Sequence, residues 1–339
     1  MTMEISRRRA LATTACLIAA PAILRAQETR IVRIVQQRGL LYLPVDAMAN
    51  GGLIAKHADR MGLGRVEAKA EVINSAAAVN DALLSDSADF GTAGPPPLLT
   101  VWDKTRGSAN EIRALGTMSN VPLTLYTINP AVKTIADFTP ADRIAVPAAK
   151  VSFNAVMLQI EAEKVFGDAE RLDPLTVSMG HPDAIASLAG GMGRSAITAH
   201  VAVPPFTERG LRLPGAHLVL DSHQVFGGSF TQMMLVGPRR FRDQNPRLQK
   251  AVLAALDEAV AMINTDKRAA VSLWKDVHRA SESVDELLAI VSDPRFEFSA
   301  TPLRIQFISD FLFRQKRVRE KLASWKDIFW PDAWDRQGT

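Results

Sequence analysis

Residues 80–105, NDALLSDSADFGTAGPPPLLTVWDKT, decide the fold because they place a strand between two helices in one short stretch. Residues 76–84 are predicted to form the first helix, and Asn74 and Ser75 before them are a good pair of N-cap residues. Residues 89–94 are typical of a buried strand, and they run into three prolines that lead into a second, short helix. Strands and helices that alternate at this spacing predict βαβ units on a parallel sheet.

The same alternation continues on both sides of this stretch. Strands are predicted at 31–37, 66–73, 123–128, 143–147, 175–179, 195–200, 217–220 and 230–236. Helices are predicted at 46–61, at 152–166 and from His181 onward, and four more follow at 245–264, 266–279, 283–292 and 301–316. The chain is therefore predicted to be an α/β protein with two similar halves and a helical C-terminal tail. The strands at 123–128 and 230–236 are expected to be the crossovers between the halves.

Length and composition limit the class of protein. With 339 residues, of which 47% are hydrophobic and 22% charged, the chain is long enough for two ordinary domains and is not a disordered protein. The single cysteine, Cys16, excludes a disulfide framework and a cysteine-based metal site. The six histidines are not spaced as zinc-ligand pairs, and no Gly-x-Ser-x-Gly motif or phosphate-binding glycine loop is present. We therefore expect no catalysis, no bound metal and no cofactor.

The first residues have the pattern of an export signal. Three arginines at 7–9 are followed by an apolar run over residues 10–24, which is too short to span a bilayer comfortably. Small residues then offer cleavage after Ala22 or Ala26, so residues 1–26 are predicted to be a signal peptide. The segment partly matches a twin-arginine signal, and a Sec-type signal is the alternative.

Without this segment the chain is nearly neutral. Residues 1–26 contain four of the 40 basic residues and one of the 36 acidic residues, which leaves 36 basic and 35 acidic residues and a net charge of +1. No basic stripe with interleaved aromatic residues remains to follow a phosphate backbone. Nucleic acid is therefore not an expected partner.

Five segments carry a resemblance to a known family. They are LIAKHADRMGL (53–63), the stretch at 80–105, TVSMGHPDAIASL (176–188), SAITAHVAVPPF (195–206) and NPRLQKAVLAALDEAVAMI (245–263). Together they resemble the solute-binding components of ABC importers, in the nitrate, sulfonate and taurine branch. The resemblance implies a two-lobed type II periplasmic binding fold that closes like a hinge on its solute. It also implies a monomer in the periplasm that delivers this solute to a membrane permease and its ATPase.

The resemblance also implies where the lobes and the site lie. One lobe would contain residues 27–122 and 231–339, the other would contain residues 123–230, and two hinge crossover strands would join them. The solute cleft is expected at the carboxyl ends of the strands, where the N-termini of helices favour an oxyanion. The candidate ligand-binding residues are Gln37, Tyr42, Asn74, Ser75, Ala76, Gly94, Pro95, Ser152, Phe153, His181 and His200.

The sequence leaves structural explanations of these candidates open. Serine and asparagine before a helix also serve as caps, Gly94 also suits a tight turn, and His181 and His200 also suit a buried structural role. The expected solute is a small anion such as a sulfonate, taurine or nitrate, because the N-termini of helices bind anions. A carboxylate and a neutral heterocycle are alternatives. A sensor that docks on a receptor through the same lobe surfaces is a further alternative.

Overall fold

Two five-stranded sheets form the framework of the computed structural model, which describes residues 29–73 and 76–339. The predicted signal peptide at residues 1–26, and with it Cys16, lies outside the described residues. The strands are β1 (Arg30–Gln36), β2 (Val66–Val72), β3 (Phe90–Ala93), β4 (Ile112–Ser119), β5 (Thr124–Thr127), β6 (Ile144–Val146), β7 (Thr176–Ser178), β8 (Ala199–Ala202), β9 (His217–Asp221) and β10 (Met233–Pro238).

The two sheets have the same topology. The strand order is β2-β1-β3-β10-β4 in the first sheet and β7-β6-β8-β5-β9 in the second. In each sheet the first three strands of that order are parallel, and the fourth is antiparallel to both of its neighbours. The α/β class and the two similar halves that the sequence predicted are therefore confirmed.

Helices cover these sheets and form the C-terminal part of the chain. They are α1 (Leu43–Ala49), α2 (Leu53–Arg60), α3 (Ala76–Leu84), α4 (Pro95–Thr105), α5 (Phe153–Phe166), α6 (His181–Leu188), α7 (Phe206–Leu211), α8 (Ser222–Phe226), α9 (Arg239–Gln244), α10 (Pro246–Thr265), α11 (Lys267–His278), α12 (Val284–Val291) and α13 (Ile305–Arg314). Short 3-10 turns lie at Leu40–Tyr42, Ile135–Asp137, Asp173–Leu175, Trp325–Ile328 and Pro331–Ala333. The predicted helical tail corresponds to α10–α13.

The chain passes twice between the sheets. It leaves the first sheet after β4 and enters the second at β5, and it returns between β9 and β10. The two predicted crossover strands are therefore β5 and β10. Each is the first strand that the chain forms after it has passed from one sheet to the other. The backbone of Asn120, in the first crossing, exchanges two hydrogen bonds of 2.8 and 2.9 Å with Glu297. The crossing is thus tied to the segment that follows α12.

Four predicted elements differ clearly from the structure in their bounds. The strand predicted at 230–236 is β10 and covers Met233–Pro238. The single helix predicted at 46–61 is two helices, because Gly52 adopts a left-handed conformation (φ +71°) between them. The strand predicted at 195–200 begins only at Ala199, since the preceding glycines Gly191 and Gly193 also have positive φ and form turns. The tail helix predicted at 301–316 is shorter and covers Ile305–Arg314.

Strand β4 and the short helices α7, α8 and α9 were not predicted. The sequence of β4, IRALGTMS, shows no alternation, because nearly all of its side chains are buried. The three helices have six residues or fewer, so they are too short to show a helical period. The C-terminal segment covers β4 on its outer side, where the backbone N–H of Trp330 donates to the carbonyl of Ala114 (2.9 Å).

Candidate functional site

A cleft lies where the carboxyl ends of the parallel strands of both sheets meet. It is partly open to solvent, and the enclosed space within it is about 40 Å³. Its walls are formed by residues that follow β1, β3, β6, β7 and β8, by α3, and by the start of β10. The lining residues are Gln37, Leu41, Tyr42, Ala76, Asn80, Thr92, Ala93, Gly94, Pro97, Pro147, Ser152, Phe153, Asn154, His181, Val203, Gln232 and Met233. This is the edge of an α/β sheet at which ligands bind.

On the side of the first sheet, the turn after β1 supplies two polar groups. Tyr42 is buried, and its hydroxyl donates to the side-chain oxygen of Gln37 over 3.4 Å. Burial raises the pKa of Tyr42 far above its ordinary value, so the phenol stays protonated. The backbone N–H of Leu40 donates to the carbonyl of Pro204 (3.1 Å), which follows β8 in the second sheet. The two sheets are therefore in contact at the edge of the cleft.

Gly94 ends β3 and precedes α4 at a point of close packing. A Cβ at this position would lie 3.0 Å from the carbonyl oxygen of Gln232 and 3.0 Å from the ring of Phe153. The glycine therefore allows β10 on one side and α5 on the other to approach the end of β3. Substitution by a larger residue is expected to push these two walls apart.

The N-terminus of α4 does not supply the donors that the sequence predicted. Its first three residues, Pro95, Pro96 and Pro97, have no backbone N–H, and the next N–H, of Leu98, is bonded to the carbonyl of Gly94 (3.1 Å). An anion at this position would find no free N–H within the first turn. Pro95 does not line the cleft, whereas Pro97 does. The first turn of α4 therefore offers no backbone donor to an oxyanion, and a role of Gly94 and Pro95 in ligand binding stays a prediction.

On the side of the second sheet, α5 begins at the cleft. Ser152 is its N-cap, and the serine hydroxyl accepts a hydrogen bond from the backbone N–H of Ala155 (3.3 Å). The ring of Phe153 packs edge-on against Phe230, with centroids 5.4 Å apart. Asn154 donates from its amide to the carbonyl of Val201 (2.8 Å), which leaves the side-chain oxygen of this asparagine without a partner among the described residues. This wall thus combines an aromatic surface with polar groups.

His181 opens α6 and belongs to a buried chain of three side chains. Its Nδ1 lies 2.8 Å from Nε2 of His200, and Nδ1 of His200 lies 2.9 Å from the hydroxyl of Tyr126. His200 is 0% exposed and does not line the cleft, so it lies behind His181. Burial lowers the pKa of His181 to about 4, and burial together with the neighbouring His181 lowers the pKa of His200 well below its ordinary value. Both rings are therefore neutral at pH 7.

Two buried polar atoms in the wall of the cleft have no partner. They are the hydroxyl of Thr92 on β3 and the side-chain oxygen of Gln232 before β10, in residues that are 5% and 2% exposed. Neither atom has a hydrogen-bond partner among the described residues. Because buried polar groups in proteins are nearly always hydrogen-bonded, the hydroxyl of Thr92 would be completed by an acceptor and the oxygen of Gln232 by a donor, from water or from a bound molecule.

The lining of the cleft carries no formal charge. None of its residues is Asp, Glu, Lys or Arg, and its histidine is neutral. Arg38 lies beside the cleft, in a smaller adjoining space that Gly180 and Pro182 also line. It is exposed and forms no ion pair with the described residues. The arrangement can therefore hold a solute by hydrogen bonds and packing, with one cation at the mouth.

The structure brings together seven of the eleven predicted site residues. They are Gln37, Tyr42, Ala76, Gly94, Ser152, Phe153 and His181. His200 lies behind the wall, Pro95 faces elsewhere, and Asn74 and Ser75 lie outside the described residues. Sequence reasoning missed Asn80, Thr92 and Gln232. The only signal for Thr92 and Gln232 was a polar residue inside an otherwise apolar strand.

The described residues show neither a metal site nor a membrane span. In residues 29–73 and 76–339, no group of three or more His, Cys, Asp or Glu side chains is placed to hold a metal ion. Of the helices in the same ranges, none combines the length and the apolar character that a membrane crossing requires.

Comparison with known proteins shows the fold. No protein-family model and no curated protein sequence matches the chain. Among similar solved structures, the alkanesulfonate-binding protein SsuA from Xanthomonas axonopodis pv. citri, bound to MOPS, has a TM-score of 0.67 and 20% identity, over 88% of this chain and 98% of that one. The periplasmic nitrate-binding protein NrtA from Synechocystis PCC 6803 has a TM-score of 0.71 and 14% identity, over 91% and 88%.

A third structure extends the comparison. The ligand-binding component of an ABC-type import system from Staphylococcus aureus, with zinc bound, has a TM-score of 0.65 and 15% identity, over 90% of this chain and 98% of that one. All three structures cover nearly the whole of both chains. The chain therefore has the two-lobed fold of type II periplasmic binding proteins, as the sequence predicted.

Proposed function

We propose that the chain is the periplasmic solute-binding component of an ABC importer and performs no catalysis. The observation that carries this proposal is the cleft between the two sheets, where the buried polar atoms of Thr92 and Gln232 lack partners. The structures described above, of the same fold, are binding proteins by name. Within residues 29–73 and 76–339, the neutral His181 bonds to another histidine and to no serine or threonine hydroxyl.

Capture would close two lobes on the solute. We propose residues 27–122 with 231–339 as one lobe and residues 123–230 as the other, which follows the division of strands between the two sheets. Ion pairs join these units: Arg209 on α7 donates to Glu282 (2.6 Å), and Arg314 on α13 donates to Glu163 on α5 (2.9 Å). These ion pairs would break when the lobes open and form again when the lobes close.

Delivery follows from the difference between open and closed states. A solute that binds the closed state better shifts the chain toward it, and the closed surface is then available to a permease. The proposed partners are this membrane permease and its ATPase, and the predicted export signal would place the monomeric chain in the periplasm with them. A sensor that docks on a receptor would use the same closure.

The solute we propose is a small oxyanion of the sulfonate, taurine or nitrate type, held by neutral donors rather than by ion pairs. The uncharged lining also favours a second candidate, a neutral heterocycle with a carbonyl group, and a carboxylate is the remaining alternative. Both kinds of solute bring oxygen acceptors, and the difference between them is the net charge.

A thermal-shift screen tests the proposal. Exported, purified protein is heated with sulfonates, nitrate, carboxylates and heterocycles, each paired with an analogue of similar shape but different charge. A solute that binds only the folded state raises the melting temperature by mass action. We expect at least one solute to raise the melting temperature by several degrees and to lower the radius of gyration measured by small-angle X-ray scattering. If no solute in the screen does either, the chain is not a solute-binding protein of this kind.

A further inference from the structure

The chain of Tyr126, His200 and His181 has only one arrangement of hydrogens that leaves no buried group unpaired. All three side chains are buried, and the two contacts between them are 2.9 and 2.8 Å. Each neutral imidazole has one N–H donor and one acceptor nitrogen, and the phenol has one hydrogen to donate. The direction of the first bond therefore determines the direction of the second.

The tyrosine determines that direction. Its hydroxyl is 0% exposed with the rest of the residue, and Nδ1 of His200 is its only hydrogen-bond partner among the described residues. If His200 donated to the phenol, the phenolic hydrogen would be buried without an acceptor, which is costly. The phenol therefore donates to Nδ1 of His200. His200 then carries its hydrogen on Nε2 and donates it to Nδ1 of His181.

The chain ends in the cleft. Because Nδ1 of His181 accepts, the hydrogen of this neutral ring lies on Nε2. The ring lines the cleft, and its Nε2 has no hydrogen-bond partner among the described residues. The ring is also held in place by stacking on Phe206, with centroids 5.3 Å apart. The cleft therefore presents a fixed N–H donor at this position.

We propose that His181 is a donor of fixed direction that selects solutes with a hydrogen-bond acceptor at Nε2, and that Tyr126 and His200 are positioning residues that set this direction. The inference rests on the proposed function, since it concerns the solute of the same cleft. The acceptor is an oxygen of a sulfonate, nitrate, carboxylate or carbonyl group, or an unprotonated ring nitrogen. A solute that places an ammonium group at this point would face an N–H and is expected to be rejected.

Nitrogen NMR tests the direction of the chain without any solute. In ¹⁵N-labelled protein at pH 7, long-range ¹H–¹⁵N spectra distinguish a protonated from an unprotonated ring nitrogen. We expect His181 and His200 both to carry their hydrogen on Nε2, with signals assigned by the His181→Gln and His200→Gln variants. In Tyr126→Phe the constraint is removed, and the two rings are expected to show a mixture of tautomers. Hydrogen on Nδ1 of His181, or unchanged spectra in Tyr126→Phe, would overturn the proposal.

Affinity measurements test the role toward the solute. With a solute identified by the thermal-shift screen, His181→Phe keeps a flat ring but removes the donor, and is expected to lower affinity about tenfold or more. His181→Gln supplies a donor again and is expected to recover part of the loss. If the wild type binds a solute and His181→Phe binds it equally well, this inference fails while the proposed function stands. If the wild type binds no solute, the proposed function fails.

The same measurement separates the two sources of the acceptor. A sulfonate and an uncharged amide or heterocycle of similar size are titrated in parallel. Either result supports a donor at His181, provided that the affinity depends on this residue. Tighter binding of a primary amine than of both acceptors would contradict the proposed selection.

Discussion

One buried histidine cluster lies on the elements of each sheet, and the two clusters differ in how they end. In the first, Nε2 of His278 on α11 lies 2.9 Å from a carboxylate oxygen of Asp46 on α1, whose other oxygen accepts from Gln36 (2.8 Å). That cluster joins two helices and a strand inside the core. In the second, the chain from Tyr126 through His200 ends at His181 in the cleft.

The difference separates a structural histidine from the one that we propose to contact a solute. His278 bonds to the carboxyl group of Asp46 and does not line the cleft, so its hydrogen bond stabilises the fold. His181 has a neutral partner, lines the cleft and has one ring nitrogen without a partner among the described residues. Because a buried donor without a partner is costly, the second arrangement makes sense only if a bound molecule or water completes it. The following predictions test this contrast, from the largest expected effect to the smallest.

Asp46→Ala is expected to destabilise the fold more than any other change considered. It leaves His278 and Gln36 buried beside an empty space, and loss of one partner from a buried pair costs about 3–5 kcal/mol of unfolding free energy. Urea denaturation measures the effect. Asp285→Ala, which breaks an exposed pair with Arg268, is the control and is expected to cost less than about 1 kcal/mol. Equal losses in the two variants would show that the cluster is not structural.

Acid is expected to destabilise the protein through the second cluster. The pKa of His181 is about 4 in the folded chain, against an ordinary value of 6.5, so between these values the unfolded state binds more protons. Stability is complete above pH 6.5 and is lost as the pH falls toward 4, by about 3 kcal/mol for this residue. The lowered pKa of His200 acts in the same direction.

Urea denaturation at several pH values, compared between the wild type and His181→Phe, measures this dependence. Within the described residues, each ring hydrogen-bonds to the other, and Tyr126 is the only further titratable partner. The variant is expected to lose the share of His181 and to keep only the part of the His200 share that comes from burial. The same slope in both proteins would mean that His181 is not held neutral by burial.

Thr92→Val and Thr117→Val form a matched pair. Thr92 lines the cleft, and its buried hydroxyl has no partner among the described residues. Its removal is therefore expected to leave the fold as stable or slightly more stable and to weaken solute binding by about 1 kcal/mol, or roughly fivefold. Thr117, which is buried on β4, donates to the carbonyl of Ser299 (2.9 Å). Its loss is expected to lower stability and leave affinity unchanged. Calorimetric titration measures the affinity of both variants, and thermal melting measures their stability. If Thr117→Val weakens binding while Thr92→Val only lowers stability, the solute site does not lie in this cleft.

Arg38→Gln is expected to have the smallest effect. Arg38 is exposed at the mouth and does not line the cleft, so a solute held by neutral donors should lose less than about threefold in affinity. The titration is repeated at low and high salt. A loss of tenfold or more, enlarged at low salt, would show that an ion pair with Arg38 holds an anionic solute.

Much of the fold could be predicted from local patterns. Ser152 was recognised as an N-cap, and the helix at 76–84 has the predicted bounds, because both depend on neighbouring residues. Strand β4 was missed because burial on both faces removes the alternation that marks a strand. Gly52 divides a helix that was predicted to be continuous. Its left-handed conformation depends on the turn that the chain makes at this point, which the local pattern does not show.

The site could be predicted only in part. The junctions after the strands are local features, so Gly94, Ser152 and His181 were found from the sequence. That His200 lies behind His181 depends on the packing of α6 on β8, which no spacing shows. Gln232 reaches the cleft because β10 lies antiparallel between β3 and β4, although the whole second sheet separates β10 from them along the sequence. Such long-range pairing leaves no local signal.

Calorimetric titration of two histidine variants tests the central claim most directly. The solute that gives the largest thermal shift is titrated into the wild type, His181→Phe and His278→Gln. We predict one solute per chain in the wild type, an affinity at least about tenfold lower in His181→Phe, and wild-type affinity in His278→Gln, which keeps a donor toward Asp46. Undiminished affinity in His181→Phe, with loss of binding in His278→Gln, would contradict the assignment of the cleft as the solute site.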